Sequence, residues 1–326
     1  VRPMRAYILG EAGPVLAEVD RPHVGPEDVL VRVHATALNR ADLAMARGHV
    51  HGQAGGRGAV LGLEWAGEVA EVGAAVQGFK PGDRVMGSGG GAWAEYAVAD
   101  HGRVIAIPDG LGFEAAATLP VALQTLHDAL ATNGQLRPGQ SVLIQGASSG
   151  VGLMGLQIAK VLGAGLVVGS STSADKRARL AEFGADLAVD TTDPRWVDQV
   201  LAATDGKGVD LIVDQVSGPL INASLRATRI GGRIVNVGRL GGMKAEFDFD
   251  LHALRRITYV GVTFRTRSKA EVRELNARMQ ADLTAPLAAG RLSLPIDQVF
   301  AFEDLPAALA RMGENRHFGK IVVRVD

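Results

Sequence analysis

The stretch from 141 to 170 most constrains what this chain can become. A short apolar run, Ser141-Val142-Leu143-Ile144-Gln145, leads into Gly146-Ala147-Ser148-Ser149-Gly150-Val151-Gly152, then into residues with helical spacing and a second apolar run at 166–170. Residues 142–169 carry one charge, Lys160, and could pass for a membrane span, but their seven glycines favour strand, turn, helix and strand. A small-residue turn that opens a helix lets main-chain N–H groups approach a pyrophosphate at the positive end of the helix dipole. On the G-x-G-x-x-G spacing the three positions are Ala147, Ser149 and Gly152, so the strand–turn–helix setting carries this reading as much as the letters do. A turn packed only for helix–sheet contact would use the same residues.

The alternation continues. After the strand at 141–145 and a helix at 150–163, the pattern predicts strand 166–170, helix 174–184, strand 209–214, helix 219–228, strand 233–237 and a further strand over 257–264. Apolar strands alternating with helices make a parallel sheet covered on both faces. Residues 1–100 read instead as short strands and turns, with alternation at 29–35 and 67–72 and a turn at Pro81-Gly82-Asp83. Helical spacing at 113–132 is broken by Pro120, and the tail holds helices near 269–289 and 304–312 and a last strand at 320–325. With 326 residues, against ~150 per domain, two domains are expected in an α/β chain.

The charge balance, 34 basic against 35 acidic residues without a dense basic run, argues against nucleic acid as the main partner. The absence of cysteine excludes disulfides, thiolate metal sites and cysteine nucleophiles. Glu11, Glu18 and Asp20 interrupt the N-terminal stretch, so no leader segment or membrane anchor is expected and the cytoplasm is the expected location.

The second apolar run ends at Ser170-Ser171-Thr172, where a site selecting the ribose 2′-hydroxyl would place a carboxylate. Ser171 can instead donate to a 2′-phosphate and Lys176 can supply a countercharge, which favours NADPH over the alternative that Lys176 and Arg177 are only solvated first-turn residues. Asn39 and Asp42 have the spacing of a helix N-cap and its third-position partner.

Several motifs in order resemble the medium-chain dehydrogenase/reductase superfamily, and within it the zinc-independent quinone oxidoreductase (zeta-crystallin-like) branch. They are Asn39-Arg40-Ala41-Asp42-Leu43, Gly62-Leu63-Glu64-Trp65-Ala66-Gly67-Glu68-Val69, Phe79-Lys80-Pro81-Gly82-Asp83-Arg84-Val85, Ala115-Ala116-Ala117-Thr118-Leu119-Pro120, the glycine turn, and Asn315-Arg316-His317-Phe318-Gly319-Lys320. The resemblance implies a GroES-like, β-rich catalytic domain at 1–122 and 266–326, and a Rossmann doubly wound parallel-sheet domain at 123–265. It implies Asn39, Asp42 and Thr125 at the reacting end, Asn39 and Thr125 near the nicotinamide and its ribose. Ser149, Gly150, Val151 and Gly152 would hold the pyrophosphate, Ser171 and Lys176 would face the adenosine 2′-phosphate, and Gly238, Arg239, Phe264, Arg265 and Lys320 would close over the cofactor.

The chain departs from its relatives at Val50 and Thr191, where many carry tyrosine. Where zinc-dependent relatives have Cys and His it has Asn39 and Leu63, so no metal is expected. None of the eight histidines has ligand-like spacing; His49 and His51 read as solvated loop residues and His127 as packing or surface. The expected activity is NADPH-dependent hydride transfer to a quinone or an α,β-unsaturated carbonyl. The alternatives are an enoyl-thioester reductase and, in another class, a zeta-crystallin-type structural or RNA-binding protein that binds NADPH. The apolar run at 257–264 would leave an open sheet edge, which predicts a homodimer or a tetramer built from dimers.

Overall fold

The structure is a computed structural model that describes residues 2–326. The chain divides into two compact units. One comprises Val1–Val121, Phe264–Ala289 and Ser293–Asp326; the other comprises Ala122–Thr263 and Gly290–Leu292.

The first unit is built on a seven-stranded sheet. At its centre the strand Asp28–Ala37 pairs antiparallel with Glu64–Val72 on one side and with Lys320–Arg324 on the other. Alternate side chains of these strands, Val29, Val31 and Val33 with Ile321 and Val323, enter a core with Trp65, Trp93 and Tyr7. Tyr7 donates its buried hydroxyl to the Phe302 carbonyl at 2.6 Å, so its polar end is satisfied inside that core. Strand register decides which residues meet at the sheet's end. Val322 faces Ala37 and Thr36 faces Trp65, so the C-terminal end of the central strand lies beside the N-terminal ends of both neighbours.

The second unit holds six parallel strands: Ser141–Gln145, Leu166–Ser170, Leu187–Val189, Val209–Asp214, Thr228–Asn236 and Thr258–Gly261. Numbered from the first of these, their spatial order is 3-2-1-4-5-6, so the order in which strands are added reverses between Ser141–Gln145 and Val209–Asp214, which stay parallel. A doubly wound sheet of this order opens a crevice at the carboxyl ends of those two strands. Leu143, Val168, Ile212 and Ile234 fill the core beneath.

The structure differs from the sequence pattern in places. The helix expected at 174–184 is one turn, Ala174–Arg177, followed by a 3-10 turn, Leu180–Phe183, closed by Gly184 at φ +112°. The strand expected at 233–237 starts earlier, at Thr228, and the one expected over 257–264 shortens to Thr258–Gly261 at the sheet edge. The strand Leu187–Val189 and the helix Trp196–Ala203 had no expectation attached. Among the described residues no helix is long and apolar enough to cross a membrane.

Candidate functional site

The three adjacent strand ends of the first unit bring Asn39, Glu64 and Lys320 together. Asn39 follows the central strand and caps the helix Arg40–Met45, while Glu64 and Lys320 are the first residues of the flanking strands. The Lys320 ammonium donates to Asn39 Oδ1 at 2.8 Å and lies 2.7 Å from Glu64 Oε1. Asn39 Nδ2 donates to the same Glu64 oxygen at 3.0 Å, and Glu64 Oε2 accepts the Val121 N–H at 2.8 Å. Glu64 is fully buried and Lys320 is 4% exposed, so this ion pair is desolvated and held by its own partners. Asp42 accepts the Asn39 N–H at 2.7 Å through Oδ2, the reciprocal bond its spacing predicts. Its other oxygen, Oδ1, is buried without a partner. Burial pushes the Asp42 carboxyl up to about 7, and the Asn39 N–H and the Lys320 charge only partly oppose this.

Phe264 and Arg265 belong to the first unit, where the Arg265 backbone packs against Gly52 so closely that a Cβ there would sit 3.0 Å from its carbonyl oxygen. Val50 and His49 in the same loop are exposed, whereas His127, expected as packing or surface, is buried.

In the second unit the glycine turn is built from below and above. Ser170 Oγ accepts the Gly146 N–H at 3.0 Å and donates to Gln145 Oε1 at 2.5 Å; Gln215 Nε2 donates to the Gln145 and Gly146 carbonyls. Gly146 takes φ +72°, which reverses the chain out of its strand. Ser149 caps the helix Gly150–Val161, its hydroxyl accepting the Gly152 N–H at 3.0 Å. A Cβ on Gly152 would meet the Gly146 carbonyl oxygen at 2.4 Å, so only glycine lets the helix start this close to the turn. Ser148 Oγ lies 2.8 Å from Ser171 Oγ, which joins the turn to the end of the next strand. Arg177 donates to the Ser171 carbonyl at 3.0 Å and lies 3.5 Å from Asp190, while Lys176 N–H donates to Ser173 Oγ.

Gly238 and Arg239 sit beyond the strand Thr228–Asn236. Gly238 N–H donates to the Asp214 carbonyl at 3.1 Å, Ser217 Oγ donates to the Gly238 carbonyl at 2.7 Å, and Arg239 donates to Asn236 Oδ1 at 2.7 Å. Thr125 lies half-buried on the helix Pro120–His127.

The structure therefore gathers Asn39, Asp42 and Lys320 into one cluster, and Ser149, Gly150, Val151, Gly152 and Ser171 around one helix start. Two members had no role assigned from the sequence. Glu64 was visible as the charge that opens the strand Glu64–Val72, and Ser148 as one of the two hydroxyls in the glycine turn.

Residues 25–109 match the family model of the alcohol dehydrogenase GroES-like domain, and residues 150–281 match that of zinc-binding dehydrogenase. A structure of an alcohol dehydrogenase superfamily protein from Novosphingobium aromaticivorans is 29% identical, with a TM-score of 0.89 over 100% of both chains. A quinone oxidoreductase from Pseudomonas syringae pv. Tomato DC3000 is also 29% identical, with a TM-score of 0.84 over 99% of this chain and 100% of the other. One component of the phenolphthiocerol/phthiocerol polyketide synthase of Mycobacterium tuberculosis is 31% identical over 309 residues, 94% of this chain; the chain spans 14% of that relative's length.

The helix start, with its small residues and the N-terminal end of the helix Gly150–Val161, fits a dinucleotide. The residues around Asn39 do not fit zinc: both Glu64 oxygens are taken by donors and an ammonium stands among them. Among the described residues no group of three His, Asp or Glu side chains could hold a metal ion.

Proposed function

Because the chain belongs to the medium-chain dehydrogenase/reductase superfamily, we propose that it is an NADPH-dependent reductase that reduces a quinone or an α,β-unsaturated carbonyl without a metal. As a member it is an oxidoreductase of the nicotinamide-dependent kind; the cofactor's phosphate, the acceptor and the absence of a metal step are our reading. One observation carries it: the chain puts an amide, a carboxylate and an ammonium, bonded to one another, at its strand ends in place of metal ligands.

The bound nicotinamide supplies the hydride. The helix Gly150–Val161 offers its N-terminal N–H groups to the pyrophosphate. Ser148 and Ser171 offer two hydroxyls to a 2′-phosphate, Lys176 gives it a countercharge, and no carboxylate replaces Ser171 to repel it. Gly238, Arg239, Phe264 and Arg265 are assigned to enclosing the cofactor, and Thr125 to its ribose. Asn39 donates to the oxygen of the quinone, or of the enone whose β-carbon takes the hydride, and solvent protonates the resulting quinol or enolate oxygen, so no protein acid is needed. Asp42, fully buried, serves through its bond to the Asn39 backbone.

The similarity to a polyketide synthase favours a second reading, in which the acceptor is an enoyl thioester. Anaerobic NADPH oxidation against quinones, simple enones and a crotonyl thioester tests both. Turnover with the first two and not the third supports the first reading; the reverse supports the second.

The exposed edge strand Thr258–Gly261, together with exposed Phe249 and Leu254 in the same unit, supports a homodimer or a tetramer built from two dimers. Light scattering should give about twice or four times 34.0 kDa, and a concentration-independent 34.0 kDa would refute it.

A further inference from the structure

The Asn39 amide is held from both ends by buried charges. Its oxygen takes the Lys320 ammonium and one Nδ2–H goes to Glu64. Its backbone is held as well: the N–H donates to Asp42 and the C=O accepts the Asp42 N–H at 2.9 Å. One Nδ2–H has no partner among the described residues. An amide has two ends of nearly equal shape, and only its neighbours decide which is oxygen. Here a cation demands the oxygen and a carboxylate demands the nitrogen, so the amide cannot be flipped without placing like groups together. For stability alone, two buried charges are poor material; apolar side chains of the same volume usually do as well or better.

We propose, on the basis of the reductase reading, that Lys320 and Glu64 are positioning residues for Asn39. They fix its amide so that the remaining Nδ2–H is the donor to the carbonyl oxygen of the substrate. The ammonium on Oδ1 also polarises the amide, and hydrogen bonds in such a chain strengthen one another. A carbonyl that gains electron density as hydride arrives accepts more strongly in the transition state than before it, so the effect belongs in kcat.

The test compares wild type with Asn39→Ala, Lys320→Met, Lys320→Arg and the double variant Lys320→Met/Glu64→Gln, which leaves no lone buried charge if Lys320→Met fails to fold. Asn39→Ala, Lys320→Met and the Lys320→Met/Glu64→Gln double variant should lose about a hundredfold in kcat, the scale of one lost oxyanion donor. Cofactor Kd, read by NADPH fluorescence, should stay within about twofold. Lys320→Met should cost less than about twofold when Asn39 is already alanine, because a positioning residue has nothing left to position. Lys320→Arg should recover about tenfold of the loss, since it restores the cation. Independent losses in the Asn39→Ala background, or a loss confined to cofactor Kd, overturn the proposal; the second outcome would assign the donor to the nicotinamide carboxamide. If wild type reduces no quinone, enone or enoyl thioester, the reductase reading falls by itself. The side-chain amide NMR signal of Asn39 then decides the positioning claim. A downfield, slowly exchanging pair that moves in Lys320→Met/Glu64→Gln supports it, and an unmoved pair overturns it.

Discussion

The two strand-end clusters are held in shape by opposite means. At Asn39 the parts are polar side chains and full charges, buried and bonded to one another. At the glycine turn they are backbone N–H groups, serine hydroxyls and the lack of a Cβ. The first arrangement depends on charge and tolerates changes of shape poorly. The second depends on size and tolerates few added atoms.

The largest effect should follow from breaking the charge balance. Glu64→Leu leaves the Lys320 ammonium buried without its carboxylate and the Val121 N–H without an acceptor. It should cost about 3–5 kcal/mol in urea unfolding, as for a broken buried pair. A loss under about 1 kcal/mol would mean that the pair is effectively solvated.

Gly152→Val tests size. The added Cβ would meet the Gly146 carbonyl oxygen at 2.4 Å and the Ala147 backbone at 2.8 Å, so the turn must open. Dinucleotide affinity should fall at least about tenfold by isothermal titration, with a stability loss of about 1–3 kcal/mol. Unchanged affinity would show that the turn does not face the pyrophosphate.

These two sites also show what a sequence yields. The glycine turn was legible because its physics is local: consecutive small residues between a strand and a helix. Asn39 and Asp42 were legible as a cap for the same reason. Glu64 and Lys320 were not legible as a pair, because they stand 256 positions apart and meet only through the register of the strands around Asp28–Ala37. The overlong helix at 174–184 failed in the same way. Its apolar spacing is helical, but Gly184 in the left-handed region closes a tighter turn at Leu180–Phe183. The three-residue strand Leu187–Val189 is too short to carry a period of its own.

Ser171→Asp should sharpen the contrast within the turn site. A new carboxylate repels a 2′-phosphate and can accept from a 2′-hydroxyl, so the NADPH-to-NADH ratio of specificity constants should fall about ten- to 150-fold. Lys176→Ala should lower NADPH affinity about tenfold and leave NADH nearly unchanged. Equal effects on both cofactors would move the phosphate elsewhere.

A smaller effect should separate the charged cluster by pH. Burial raises the Asp42 carboxyl to about 7 from 3.8, so the native state holds this proton more tightly than the unfolded chain does. Its contribution is fully present below about pH 4, is lost as pH rises to about 7, and is flat beyond. Asp42→Asn keeps an acceptor for the Asn39 N–H and removes the titration. The stability difference between wild type and this variant should shift against wild type from about pH 4 to about pH 7. A difference constant across that window would place the Asp42 titration outside it.

The central claim is that this chain is an NADPH reductase whose reacting end is set by Asn39, Glu64 and Lys320 and not by a metal. Its most direct test is the specificity constant of purified protein for NADPH and NADH, with a responsive quinone or enone, before and after exhaustive chelation and with zinc content measured. The account predicts that NADPH is preferred and that the constants are unchanged by chelation at substoichiometric zinc. Preference for NADH, or activity lost on chelation and restored by zinc, would contradict it.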